Sequence, residues 1–222
     1  MSKIPVYFMP GLAASPAIFE NIKLSPDLYE MHWLHWEIPN KMETLTSYAK
    51  RMADSVIHDG AVLIGVSFGG LVVQEMAQFL NLKRLIIISS VKTNLEMPLR
   101  MKVVKSTKAY KLLPTYLLQN MEILRRFSFG SVVRQRLNLY EKYLSVRDKI
   151  YLDWAIEQMM VWERTEVDEK VVHIHGDADE IFPIKNIQNC ITVSGGTHIM
   201  ILNKARWFNE NLPKIISGQY EK

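Results

Sequence analysis

Residues 61–64, Ala-Val-Leu-Ile, form a short apolar run that leads into Gly65-Val66-Ser67-Phe68-Gly69, and an amphipathic stretch at 71–82 follows almost at once. Strand, turn and helix succeed one another here with hardly a spare residue, so the chain must reverse from sheet to helix in one sharp bend at Ser67. Such a bend strains the backbone of its central residue and lifts that side chain above the sheet edge. The residues two places to either side must be small for strand and helix to pack closely, and Gly65 and Gly69 meet that demand. Ser67 is therefore a candidate nucleophile. Alone, the pentapeptide would also suit a glycine-rich turn carrying an idle serine.

An activated serine needs a base to take its proton and an acid to orient the base, both delivered from other strand ends. Downstream of the strand-like 171–174 lies His175-Gly176-Asp177-Ala178-Asp179-Glu180-Ile181-Phe182-Pro183, and after the strand-like 190–193 comes Gly195-Gly196-Thr197-His198. The order is Ser, Asp, His. With Phe8-Met9-Pro10-Gly11-Leu12 after the first strand, these segments resemble the alpha/beta-hydrolase superfamily over nearly the whole chain. The resemblance implies Ser67 as nucleophile, His198 as general base and acid, Asp179 as orienting carboxylate, and an oxyanion hole from the N–H groups of Leu12 and Phe68. Many members carry His-Gly where this chain has Pro10-Gly11; the Leu12 donor survives, but an imidazole that would hold the loop is lost. Phe68 stands at the helix start, where free N–H groups and the positive dipole end favour an oxyanion. The family pattern H-G-x-x-D selects Asp179 as the acid, leaving Asp177 as a turn residue and Glu180 as a solvated or capping carboxylate.

The same segment also reads as a metal cluster, His173-x-His175-x-Asp177-x-Asp179. A metallo-hydrolase motif would want a histidine at Ala178, and although positions 173 and 175 share a strand face, a strand followed by a turn at Gly176 gives no assurance that the carboxylates converge with them. No metal and no cofactor is expected. His173 reads as a buried or half-buried strand residue and His175 as a brace for the acid loop. His32, His35 and His58 have no partner pattern and read as surface or core histidines.

Strands are expected at 6–9, 32–38, 61–66 and 84–89, with helices at 45–58 and 68–81; this alternation implies a mostly parallel sheet flanked by helices. Leu45, Tyr48, Ala49, Met52, Ala53 and Val56 recur at three and four, which gives the first helix one buried face. The chain starts directly at the strand feeding the Leu12 loop, so the two leading strands of larger family members are expected to be lacking. From about 91 to 165 the alternation stops. Helical patterns at 99–112, 115–126, 132–144 and 149–164, broken by Pro98, Pro114 and Gly130, read as a helical cap inserted into a single alpha/beta-hydrolase domain of 1–222. In the superfamily such a cap shapes the substrate pocket. Tyr151, Trp154, Met159, Met160 and Trp162 read as helix core, though methionines and aromatics under a lid also suit an adaptable apolar site.

A chain of 222 residues, 48% hydrophobic and 23% charged, suits one compact α/β domain with an insertion. No run approaches a membrane span. The sole cysteine, Cys190, excludes an internal disulfide and reads as a buried strand thiol. Residues 3–15 faintly imitate a signal peptide, but two prolines interrupt the apolar core and cleavage would remove the first strand, so a cytoplasmic protein is expected. Between Lys92 and Arg164 there are 14 Lys and Arg against 7 Asp and Glu, whereas the whole chain is only +4. This excess in the cap is a solvated surface, or it attracts an anionic acyl substrate or a membrane surface. No nucleic-acid motif accompanies it, and no nucleic-acid partner is expected.

The expectation is thus a serine hydrolase acting on a small-molecule ester or thioester. An acyltransferase or a C–C hydrolase would use the same triad, and a ligand-binding module that keeps the scaffold without catalysis is the alternative from another class.

Overall fold

A computed structural model of the protein describes residues 2–112 and 141–220. Six strands, β1 (Ile4–Met9), β2 (Tyr29–Trp33), β3 (Ala61–Val66), β4 (Leu82–Ile88), β5 (Val171–Gly176) and β6 (Ile191–Val193), form one sheet in the order β2-β1-β3-β4-β5-β6. Every neighbouring pair is parallel.

The period-two alternation of the strands divides the core into two layers. Tyr7 and Met9 of β1, Ala61 and Leu63 of β3, and Leu85 and Ile87 of β4 face one side. There they meet α1 (Leu45–Ala53), α2 (Phe68–Met76) and α4 (Lys149–Val161); α3 (Leu99–Thr107) precedes α4 in the same excursion of the chain. Val6, Phe8, Val62, Ile64, Ile86 and Ile88 face the other side, against the 3-10 turn Pro16–Phe19, the short α5 (Met200–Asn203) and α6 (Ala205–Ser217). Burying both faces of the sheet is what a parallel arrangement requires.

Local signals set the helix ends. Thr44 accepts from Ser47 N–H at the start of α1 and Asp148 from Tyr151 N–H at the start of α4, each filling a donor that the first turn leaves free. Past α4, Trp162 Nε1 and the Arg164 guanidinium donate to the buried Glu75 of α2 at 3.0 Å, which fastens the returning chain to the central layer.

Several expected boundaries shift. The second strand is Tyr29–Trp33 and not 32–38: it is an edge strand held to β1 by the register Ile4↔Tyr29 to Phe8↔Trp33, and the pairing with β1 ends at the Leu34 N–H, which donates to Phe8 O. Helix α1 stops at Ala53, where Ser55 and Val56 donate to carbonyls three residues back. Helix α2 stops at Met76 and tightens into a 3-10 turn, Ala77–Phe79. Strand β4 starts earlier, at Leu82. In the excursion between β4 and β5, the expected helix at 99–112 is α3 followed by a 3-10 turn, Ala109–Leu112. The expected helix at 115–126 and most of that at 132–144 lie outside the described residues. Cys190 precedes β6 and is half-buried, so it is not a buried strand thiol. No helix among the described residues is long and apolar enough to cross a membrane.

Candidate active site

The chain runs from β1 out to β2 and returns to β3 on the other side of β1, so the strand order reverses between β1 and β3. Open parallel sheets bind ligands at such a crevice, beyond the carboxyl ends of the strands. Leu12 follows β1 and Ser67 follows β3. Asp179 follows β5 and His198 follows β6, so these four residues all lie past carboxyl ends of the sheet.

Ser67 has φ 53° and ψ −120°, a conformation that L-residues avoid. Such strain costs about 1–3 kcal/mol and persists only where neighbours hold it. Ser67 N–H donates to Ile88 O at 2.9 Å, and Ser67 O accepts from Gly70 N–H and the Ser90 hydroxyl, both at 2.8 Å. Strand and helix close around the bend so tightly that a Cβ on Gly65 would overlap Gly69, and one on Gly69 would overlap Pro10 O. The glycines thus serve two purposes: they admit the bend, and they let the loop after β1 lie against it.

His198 Nε2 is 2.9 Å from Ser67 Oγ, and His198 Nδ1 is 3.0 Å from Asp179 Oδ2. With Nδ1–H donating to the carboxylate, Nε2 is free to accept the serine proton. Asp179 is 4% exposed, and its other oxygen accepts from Ile181 N–H at 2.8 Å and Phe182 N–H at 2.9 Å. Burial works against the charged carboxylate, but the hydrogen bond and charge of His198 and the Phe182 N–H outweigh it, so Asp179 lies below its usual range. A hydroxyl, an imidazole and a buried carboxylate in this order can pass the serine proton onto the ring and hold the charge that forms there.

Asp177, the other aspartate of the loop, points elsewhere: its Oδ1 accepts from Gly195 N–H at 2.7 Å. His175 is fully buried; its Nε2–H donates to Phe182 O at 2.8 Å, and its Nδ1 accepts from His173 Nε2–H at 3.1 Å. The two imidazoles support the acid loop from beneath. Burial pushes both below the ordinary histidine value, His173 much the further.

Among the described residues, neither Leu12 N–H nor Phe68 N–H donates to a protein acceptor. Gly11 lies against Ser67, where an added Cβ would stand 3.4 Å from Ser67 Cβ. Two residues that the sequence reading did not connect to this loop hold it in place. Trp36 Nε1–H donates to Gly11 O at 2.9 Å, and its ring stacks on Phe68 at 5.3 Å between centroids. The Tyr151 hydroxyl accepts from Ala13 N–H at 3.4 Å. No local pattern announces Trp36, because the bond spans 25 residues.

Leu12 also packs on the cluster of Tyr110, Ile156 and Met160 formed by the segment between β4 and β5. A cavity of about 270 Å³ opens in that segment, walled by Leu95, Met97, Met101, Met160 and Trp162 with Lys102 and Lys105 at its polar side. Tyr151 and Trp154 are core residues instead, set in tilted and edge-on ring contacts with Trp36, Tyr48 and Phe68.

No protein-family model and no curated protein matches the sequence. Solved structures do. A thermophilic esterase from Thermogutta terrifontis superposes with a TM-score of 0.66 at 13% identity, covering 99% of this chain and 92% of its own. A bromoperoxidase from Bacillus anthracis gives 0.65 at 17% identity over 97% and 92%, and an esterase from Exiguobacterium antarcticum 0.63 at 18% over 97% and 92%. With the parallel six-stranded sheet and its sharp bend at Ser67, this similarity identifies the fold of the chain as that of the alpha/beta hydrolases.

Proposed function

We propose that the protein is a serine hydrolase that cleaves an ester or thioester through an acyl-enzyme on Ser67. The observation that carries this reading is the unbroken chain from Ser67 Oγ through the His198 ring to the buried carboxylate of Asp179, at 2.9 and 3.0 Å. Ser67 attacks the acyl carbon while its proton passes to His198 Nε2. Asp179 stabilises the imidazolium, and the N–H groups of Leu12 and Phe68 hold the oxyanion of the tetrahedral intermediate. His198 then protonates the leaving alcohol or thiol, which departs and leaves the acyl group on Ser67. A water molecule that loses its proton to His198 releases the acid and restores the serine. These steps need no metal or cofactor.

The esterases among the structural neighbours favour ester over thioester cleavage. Residues 91–165 serve in this reading as the cap of a single domain, supported by the packing of Leu12 on Tyr110, Ile156 and Met160. The cap's basic excess suits an anionic acyl substrate; Arg125, Arg126, Arg134 and Arg136, which contribute to it, lie outside the described residues.

A fluorophosphonate probe tests the proposal. One adduct on Ser67 is expected by peptide mass mapping, absent from Ser67→Ala and from denatured protein. No labelling of the folded chain, under conditions that label a known serine hydrolase, would leave a scaffold without catalysis. A panel of esters and thioesters of graded acyl length then reads what the cap admits, and hydrolysis is expected to persist in excess chelator.

A further inference from the structure

Three side chains away from this site converge at the edge of the sheet. Glu30 and His32 stand two residues apart on β2 and so share a strand face. His58 reaches them from the loop that follows α1. One nitrogen of each imidazole and one oxygen of Glu30 all lie within 4.8 Å of one another. His32 Nε2 is 3.3 Å from Glu30 Oε1, yet it is shielded from solvent and makes no hydrogen bond. Two zinc ligands with bonds of about 2.0–2.1 Å at a tetrahedral angle are roughly 3.3–3.4 Å apart. This pair therefore already has the spacing of one edge of a zinc tetrahedron.

Tyr7 of β1 organises both rings. Its hydroxyl is 2.6 Å from His58 Nδ1 and accepts from Ile57 N–H at 3.3 Å, while its ring stacks on His32 with centroids 4.5 Å apart and planes 14° apart. An imidazole that ligates a metal ordinarily has its second nitrogen held by an oxygen, which fixes tautomer and ring plane. In the tautomer whose Nδ1–H donates to the Tyr7 hydroxyl, His58 presents an unprotonated Nε2. The two imidazole centroids are 5.0 Å apart.

We propose that Glu30, His32 and His58 form a zinc site that fastens the edge strand β2 to the loop after α1. Two imidazoles and one carboxylate are a donor set suited to Zn2+, with water at the fourth position. The site is remote from the hydrolytic centre. His32 pairs with Tyr7 and Tyr7 with Leu63, four residues before Ser67, so roughly 13 Å of strand separates the levels of the two sites. Its role is to anchor β2, and hydrolysis does not pass through it.

The test uses the full chain, stripped of metal and titrated with Zn2+ against a chromophoric chelator. One zinc per chain is expected, with affinity lowered at least about tenfold by His58→Ala and by Glu30→Gln, and unchanged by Cys190→Ser. Glu30→Gln removes a ligand on a half-exposed side chain and so spares the core. Co2+ should give the intense visible bands of a tetrahedral centre in the unsubstituted chain and lose them in His32→Ala. Zinc should also raise the Tm of the chain but not that of His58→Ala, with ester hydrolysis equal in both. Binding far below one equivalent, or equal affinity in Glu30→Gln, His58→Ala and the parent, would reduce the cluster to a Glu30–His32 contact beside a Tyr7-bonded histidine and overturn the proposal.

Discussion

Gly176 and Gly196 touch backbone to backbone: a Cβ on either glycine would overlap the main chain of the other. Gly176 ends β5 just ahead of the acid loop, and Gly196 stands two residues before His198. Ala178 N–H donates to Gly196 O at 2.9 Å and Gly195 N–H to Asp177 Oδ1 at 2.7 Å, so the acid and histidine loops form one unit. The Asp179–His198 distance is set by this glycine contact as much as by the two side chains.

Gly176→Ala is accordingly expected to hurt twice. Overpacking at such a contact costs about 1–3 kcal/mol of stability. A displacement of His198 by about 1 Å would lower kcat by roughly 10²-fold. Urea unfolding and ester turnover on the same preparation separate the two effects; a stable variant with parental kcat would show that the loops are positioned by something else.

The two aspartates of the acid loop should respond differently to the same change. Asp179→Asn keeps the shape but no longer fixes the His198 tautomer, and should lower kcat by about 10⁴. Asp177→Asn retains an oxygen for Gly195 N–H and should cost less than about tenfold, since it touches the histidine loop but not the imidazole. The opposite ranking would move the orienting acid to Asp177.

Trp36→Phe removes the indole N–H that holds Gly11 O while keeping an aromatic ring over Phe68. If the loop supplies an oxyanion donor at Leu12, kcat should fall by about 10- to 10²-fold with little change in KM, less than the 10²–10³ of losing a donor outright. An effect confined to KM would place Trp36 in substrate binding instead.

What was legible in the sequence follows from the reach of each contact. The bend at Ser67 is specified by residues within four positions, so local pattern suffices to place it. Asp179 and His198 were reached through order and family resemblance, because no local rule joins residues 19 apart. Trp36 and the Glu30, His32, His58 cluster escaped, since pairing of β1 with β2 and the path after α1 bring those residues to their partners. The misplaced second strand has a related cause. Its true residues, Tyr29–Trp33, lie at the edge and show no strict apolar alternation, while Trp36, which follows, serves the loop after β1.

Acid sensitivity should originate in the buried histidine pair before it reaches the carboxylate. Burial, and then the neighbouring His175, hold His173 well below 6.5 in the folded chain, and burial lowers His175 as well. Once unfolded, both take up protons as pH drops below about 6.5, so in that range the unfolded chain binds more protons and stability falls with pH; above it stability is level. Asp179 acts in a lower window: its folded value lies under 3.8, so its contribution is complete above 3.8 and is lost only as pH falls through the folded value. Urea midpoints measured from about pH 7 down to about pH 5 should therefore decline in the parent chain and decline less steeply in His173→Gln, which removes one titrating ring and keeps a donor for His175. Unchanged slopes in that variant would assign the acid sensitivity to other groups.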